Sequence, residues 1–348
     1  MNSRILFVFF ISLGLIGCSE YTKPNKSDIS VFKHFLADRA IYSQKKTINI
    51  TSIYQPEDEL FGAVLAIQRN HWSKAIKELT PYAEKKDPDA LFWLAQISYG
   101  SNPTENIKAR QMMLESAQLG NPYAALMFDP NNIICQQYFS RYCDKKWVSK
   151  AKEIFAEQAK KNDVRAIFYT QKFKNKHSIY INAIINAARN NYYYPIIDYS
   201  NHILEDNNSS DKLKSIAFDL LTYARNNNFV PAIDMIIYYK ERKEKIDYRN
   251  IDSNSDYYKL VMQGKNLGSN YSWNMSELIY SYDITKSDFD KYVMAKALSY
   301  FNTNDSGLSF LKPITDKKEL ELINKKAKEM VNSVSKVIYI DGMHPIVD

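Results

Sequence analysis

The chain has 348 residues, of which 45% are hydrophobic and 24% charged, with a formal net charge of +7. That positive excess is mild, and no Lys/Arg-only run or aromatic-basic interleaving marks a nucleic-acid groove, so no nucleic-acid partner is expected. Nine glycines in the whole chain and the lack of alternating apolar patterns point to an almost entirely helical fold.

The first element is a leader. Arg4 precedes a 13-residue uncharged run, Ile5 to Gly17, in the charge-then-apolar order of a secretory signal, and the run is short for a bilayer span. It ends in Leu15-Ile16-Gly17-Cys18, which resembles a bacterial lipoprotein lipobox. By that resemblance residues 1–17 are removed and Cys18 carries the lipid, because small Gly17 admits a peptidase and only a thiol forms the thioether. Ser19 follows instead of Asp, which by similarity to known sorting implies the outer membrane of a Gram-negative cell, periplasmic side. Each buried acyl methylene contributes about 0.8 kcal/mol, so a multiply acylated Cys18 is expected to hold the protein on the membrane. Arg4 is the one charged residue removed, which leaves a net charge of +6.

Residues 18–27 read as a polar tether. A short helix is expected from about Ile29 to Arg39, and helix pairs from about Asp58 to Phe301. Within them one pattern recurs: an Ala, a polar stretch with Gly or Asn, then a new apolar-periodic run seven residues after the Ala. The copies start at Ala83, Ala117, Ala159, Ala188 and Ala224, at intervals of 34, 42, 29 and 36 residues. The second position is Ala90, Ala124 and Ala166 in the first three, Pro195 in the fourth, and Ala232 after one extra Asn in the fifth. Intervals near 34 suit a helix-turn-helix repeat, and antiparallel helices need small side chains where their backbones cross. Gly120, Asn191 and Asn227 fall where a helix end calls for a left-handed residue.

The fullest copy, ALFWLAQISYGSNPTENIKARQMMLESAQLGNPYAALM from Ala90, places Leu94, Tyr99, Gly100, Ala109, Ala117, Gly120 and Ala124 in order. It resembles the Sel-like repeat subfamily of tetratricopeptide-like proteins, although Ala95 stands where the family pattern has Gly. The resemblance covers about 88–126 well, 58–87 and 150–242 less well, and implies an all-α, right-handed α-solenoid over residues 28–303. Residues 129–147 form an insertion inside the longest interval. Residues 304–348 comprise an amphipathic helix from about Asp316 to Val334 and the final VIYIDGMHPIVD, expected as an extended tail along the last helices. Cys135 and Cys143 lie in the insertion. An even pair in an oxidising periplasm reads as a disulfide closing a short loop, with two separate thiols as the alternative.

No chemistry-bearing motif stands out. His34, His71, His177, His202 and His344 are scattered without ligand spacing, so no metal is expected. HExxH, GxSxG, SxxK and a glycine-rich phosphate loop are missing, and no cofactor or enzymatic activity is expected. The 26 tyrosines are the remaining signal. Tyr169, Tyr192, Tyr193, Tyr194, Tyr199, Tyr238 and Tyr239 cluster in or near the first helices of repeats, which line the concave side of a solenoid. Tyr offers a large contact area with a polar tip, so Tyr169, Tyr192, Tyr193, Tyr199, Tyr238 and Tyr239 are candidate partner contacts, with packing between repeats as the competing role. Arg165, Lys172, Lys174, Lys240, Arg242 and Lys243 would add a positive rim or a solvated face. The resemblance implies one protein partner gripped in the groove, most specifically a type VI secretion lipase-type toxin that the protein neutralises as an immunity protein. The rival readings are a scaffold of an exopolysaccharide-export or secretion complex, and an enzyme acting on cell-wall fragments.

Overall fold

A computed structural model describes residues 20–38, 54–100 and 102–345; Cys18 and the expected leader, residues 1–17, lie outside the described residues. Every regular element among them is a helix. We label the α-helices α1 (Asp28–Ala37), α2 (Phe61–Gln68), α3 (Trp72–Glu84), α4 (Pro88–Gln96), α5 (Pro103–Leu119), α6 (Pro122–Leu126), α7 (Lys145–Lys160), α8 (Val164–Lys172), α9 (His177–Arg189), α10 (Tyr194–Glu205), α11 (Asp211–Asn226), α12 (Val230–Lys243), α13 (Asp256–Leu267), α14 (Asn270–Tyr282), α15 (Asp288–Asn302) and α16 (Lys317–Asn332). From α2 to α16 each helix packs mainly on its neighbours in sequence, which is the defining contact pattern of a solenoid.

The recurring turn explains why the pairs form. Each begins with a left-handed residue: Lys86, Gly120, Asn162, Asn191 or Asn228. Asp87, Asn121 and Asp163 then cap the next helix, accepting hydrogen bonds from backbone amides of its first turn. Pro88 and Pro122 follow at positions where a helix needs no amide donor. Asn228, not Asn227, takes the left-handed conformation at the fifth turn, because the extra Asn moves the reversal along by one. Ala90, Ala117, Ala124, Ala166, Ala188, Ala224 and Ala232 are buried at the helix crossings.

We refer to the even-numbered helices α2 to α14, of which α2, α10 and α14 touch residues 335–345, as the inner layer and to the odd-numbered α3 to α15 as the outer one. Burial separates the two in the α3–α4 pair. All of α4 from Ala90 to Gln96 is buried, whereas the 13-residue α3 buries Ala75 and Leu79 alone. The insertion between α6 and α7 folds into a π turn, Cys135–Phe139, and a 3-10 turn, Ser140–Tyr142, with Cys135 bonded to Cys143.

The two ends of the stack meet. Asn270 Nδ2 donates to the Gln68 carbonyl (2.5 Å), and His71 Nε2 donates to that of Phe301 (2.9 Å). The Arg69 guanidinium lies 4.8 Å from the Phe301 ring centre, and Phe301 stacks on Trp273 at 4.4 Å. The turn after α2 is thereby docked on α14 and α15, and the arc of helix pairs closes.

Two terminal segments depart from expectation. Residues 20–27 are not a free tether: Tyr21 packs edge-on against Tyr180, and the Tyr21 carbonyl accepts from His177 Nδ1 (2.8 Å). Helix α1 then lies across α9 and α11, inserting Phe32 against Tyr199 and Phe35 against Tyr223. At the other end, the chain after α16 is extended as expected and starts on the last helices, where the Ser335 amide donates to the Asn266 carbonyl (3.0 Å), but it continues across the inner layer to α2 and α10. Ile338, Tyr339, Ile340 and Asp341 are buried there.

Candidate functional site

The site lies on the inner face, where residues 335–345 rest against α2, α10 and α14. A buried extended segment needs partners for its main-chain groups, and inner-layer side chains supply them. Arg69 Nη2 donates to the Ser335 carbonyl (3.0 Å) and Gln68 Nε2 to that of Val337 (2.9 Å). Gln68 Oε1 accepts from the amides of Tyr339 (2.7 Å) and Ile340 (3.3 Å). Tyr194 Oη donates to the Tyr339 carbonyl (2.7 Å).

Beyond Ile340 the recognition passes to side chains. Asp341 Oδ1 accepts from the amides of Met343 (2.9 Å) and His344 (2.8 Å), a tight local turn. Its Oδ2 accepts from Tyr192 Oη (2.9 Å), which in turn is 3.2 Å from Tyr169 Oη. His344 places Nδ1 2.9 Å from Asp341 and Nε2 3.2 Å from Asp198, with its ring stacked 3.7 Å from that of Tyr194. Burial disfavours the imidazolium, but the Asp341 and Asp198 carboxylates outweigh it and push the pKa up to about 10. Asp198 is held below the usual carboxylate range: burial opposes ionisation, yet His344, Lys172 and His202 more than compensate. Burial, with Asp341 nearby, raises the Tyr169, Tyr192 and Tyr194 phenols, keeping them neutral donors.

The six candidate tyrosines do not form one exposed surface. Tyr169, Tyr192, Tyr193, Tyr199 and Tyr239 are between 0 and 6% exposed, so their expected role as open partner contacts is corrected. Tyr169 and Tyr192 do belong to the site, facing the tail. Tyr193 packs between repeats on Tyr223 and Phe229, Tyr199 donates to Asp28 under α1 (2.8 Å), and Tyr239 donates to Glu205 (2.7 Å). Tyr238 is half-buried and bonded to Arg242 (2.6 Å). The physical reason is that an irregular array of short helices fills its layers with large rings, leaving the hydroxyls to find internal partners. Arg165 likewise is no rim residue; it pairs with Asp163 at 2.9 Å in a largely buried position.

Sequence reasoning missed Gln68, Tyr194, Asp198, Asp341 and His344 as a group. Its available signal was the tail itself, apolar at Val337, Ile338 and Ile340 and then Asp-Gly with a His three residues after the Asp, a pattern foreign to the helical chain before it. Among the described residues no group of His, Cys, Asp and Glu could hold a metal ion, and no helix is long and apolar enough to cross a membrane.

No family model matches the chain, and no curated protein does. Among solved structures it is similar to a protective antigen present in uropathogenic Escherichia coli strains, described as displaying an SLR fold, at 13% identity and a TM-score of 0.37. The match covers 79% of this chain and spans 60% of the length of that one. The assignment as an all-α solenoid rests on the sequential helix-pair packing described above.

Proposed function

We propose that the protein is a lipid-anchored envelope protein that acts by binding another protein, most specifically an immunity protein that neutralises a type VI secretion lipase-type toxin. The observation that carries the binding role is the inner face. Gln68, Tyr192 and Tyr194 are buried polar side chains arranged to satisfy an extended polypeptide, an arrangement that a simple packing core does not need. The envelope location is supported by Arg4, the apolar run to Gly17 and Cys18, and by the bonded Cys135–Cys143 pair, which suits an oxidising compartment. Occlusion of the toxin's active site or of its approach to the membrane would need no catalytic residue.

Co-expression with the product of the neighbouring gene, followed by affinity capture through this chain, tests the reading. A stoichiometric complex that abolishes the partner's lipase activity is the expected result. Neither capture nor inhibition with any product of that neighbourhood would refute it. Cys18→Ser should abolish palmitate labelling and membrane retention, and unchanged retention would refute the anchor.

A further inference from the structure

We propose that the inner groove is a receptor for an extended segment of the partner, and that residues 335–345 are a competitor built into the chain which the partner segment displaces. This rests on the protein-binding reading above and specifies its surface.

The groove reads its occupant in two registers. Arg69, Gln68 and Tyr194 bind main-chain atoms of residues 335, 337, 339 and 340, and any sequence presents those atoms. Three side chains are read individually. The Tyr339 ring is fully buried, its hydroxyl placed 3.4 Å from both the Asn270 amide and the Gly268 carbonyl. The Asp341 carboxylate meets the Tyr192 hydroxyl, and the His344 ring meets Asp198 and Tyr194. The complementary partner is therefore an extended segment with an aromatic hydroxyl, a carboxylate two residues later and a cationic ring three residues beyond that, flanked by apolar residues.

The groove donors make displacement, and not mere opening, the consistent route. An unpaired buried amide or phenol costs about 1–3 kcal/mol, so Gln68, Tyr192 and Tyr194 keep an occupant at all times. An incoming segment that offers the same acceptors exchanges those bonds one for one. The tail leaves from Ser333 and Lys336, both exposed, so release does not require α16 to unfold.

The test uses the full chain and a fluorescent synthetic peptide of residues 335–345. Wild type holds its own tail and should bind the peptide weakly. The full chain carrying Asp341→Asn with His344→Gln, which weakens the tail and leaves the groove intact, should bind it at least about tenfold more tightly, because apparent affinity rises as the competing tail holds the groove less strongly. Far-UV circular dichroism checks the fold, and Asp341→Asn alone serves if the double variant is unfolded. Tyr194→Phe in the weakened background, or Tyr339→Ala in the peptide, should remove the gain. Equal affinity for wild type and weakened chain, or equal affinity of the altered peptide, would overturn the proposal. A captured protein partner that binds wild type and weakened chain alike would also overturn it while leaving the binding function standing. Peptide uptake in the expected pattern without any captured partner would overturn the protein-binding reading, and with it the partner named here, while leaving the exchange of the tail for an extended segment standing.

Discussion

The His344 imidazole is held on the Tyr194 ring between Asp341 of its own segment and Asp198 of α10, so its charge and its position are coupled. Its pKa is raised to about 10 from an ordinary value near 6.5, which means the folded chain binds the proton more tightly. The stabilisation is complete below about pH 6.5 and is lost as pH rises towards 10. Tail protection should therefore fall over that interval, and His344→Gln should flatten the dependence; an unchanged slope would contradict the pairing. Asp234 shows the opposite chemistry in the same neighbourhood. It is buried, bonded to the Ser269 (2.6 Å) and Ser272 (3.1 Å) hydroxyls, and burial pushes its carboxyl up to about 7 against those bonds. A raised acid favours the folded state while protonated, so this contribution fades as pH climbs from about 4 through 7. Thermal melts of Asp234→Asn should lose less stability than wild type between pH 5 and pH 8 on the order of these pKa values, and parallel curves would show that the carboxyl does not titrate there. Neither residue was legible as functional in the sequence. A lone His or Asp has no pattern of its own, and the partners on other elements, Asp198 for His344 and Ser269 for Asp234, lie 146 and 35 residues away.

At the level of elements, the helix pairs were legible because their signals are local. The Ala crossings, the left-handed turn residue and the Asp or Asn cap sit within a few positions of one another, and so α3 to α12 fall where the periodicity places them. The turns that follow α6 were legible only as an insertion, since a loop closed by Cys135 and Cys143 has no period. Replacing both cysteines with Ser should cost about 2–3 kcal/mol by the loop-closure argument for a short loop, measured by urea unfolding. Non-reducing mass spectrometry of exported protein should find the two joined, and free thiols would refute the bond. Close packing also makes α13 sensitive at one atom. A Cβ on Gly264 would sit 2.0 Å from Ser272 Oγ, the hydroxyl that bonds Asp234. Gly264→Ala should lower the melting temperature despite the better helix propensity of Ala, and a rise would show that the α13–α14 contact can relax.

For the molecule as a whole, what the sequence could not show is closure. Contacts of Gln68, Arg69 and His71 with Asn270 and Phe301 span more than 200 residues, and nothing in a repeat pattern says whether its ends meet. The aromatic surplus read as an open binding face is spent on filling that closed interior, with the tail as the last layer. Phe301→Ala should cost about 3–5 kcal/mol, as for other large buried rings, and should weaken the α2–α15 contact along with it. The arrangement makes one demand that can be measured on unmodified protein. Native-state hydrogen exchange should find the Tyr339 and Ile340 amides, which donate to Gln68 Oε1, protected to nearly the level of the inner helices, and Gln68→Ala should expose them selectively. Exchange of both amides at free-chain rates in the wild-type protein would contradict a groove occupied by its own C-terminal segment.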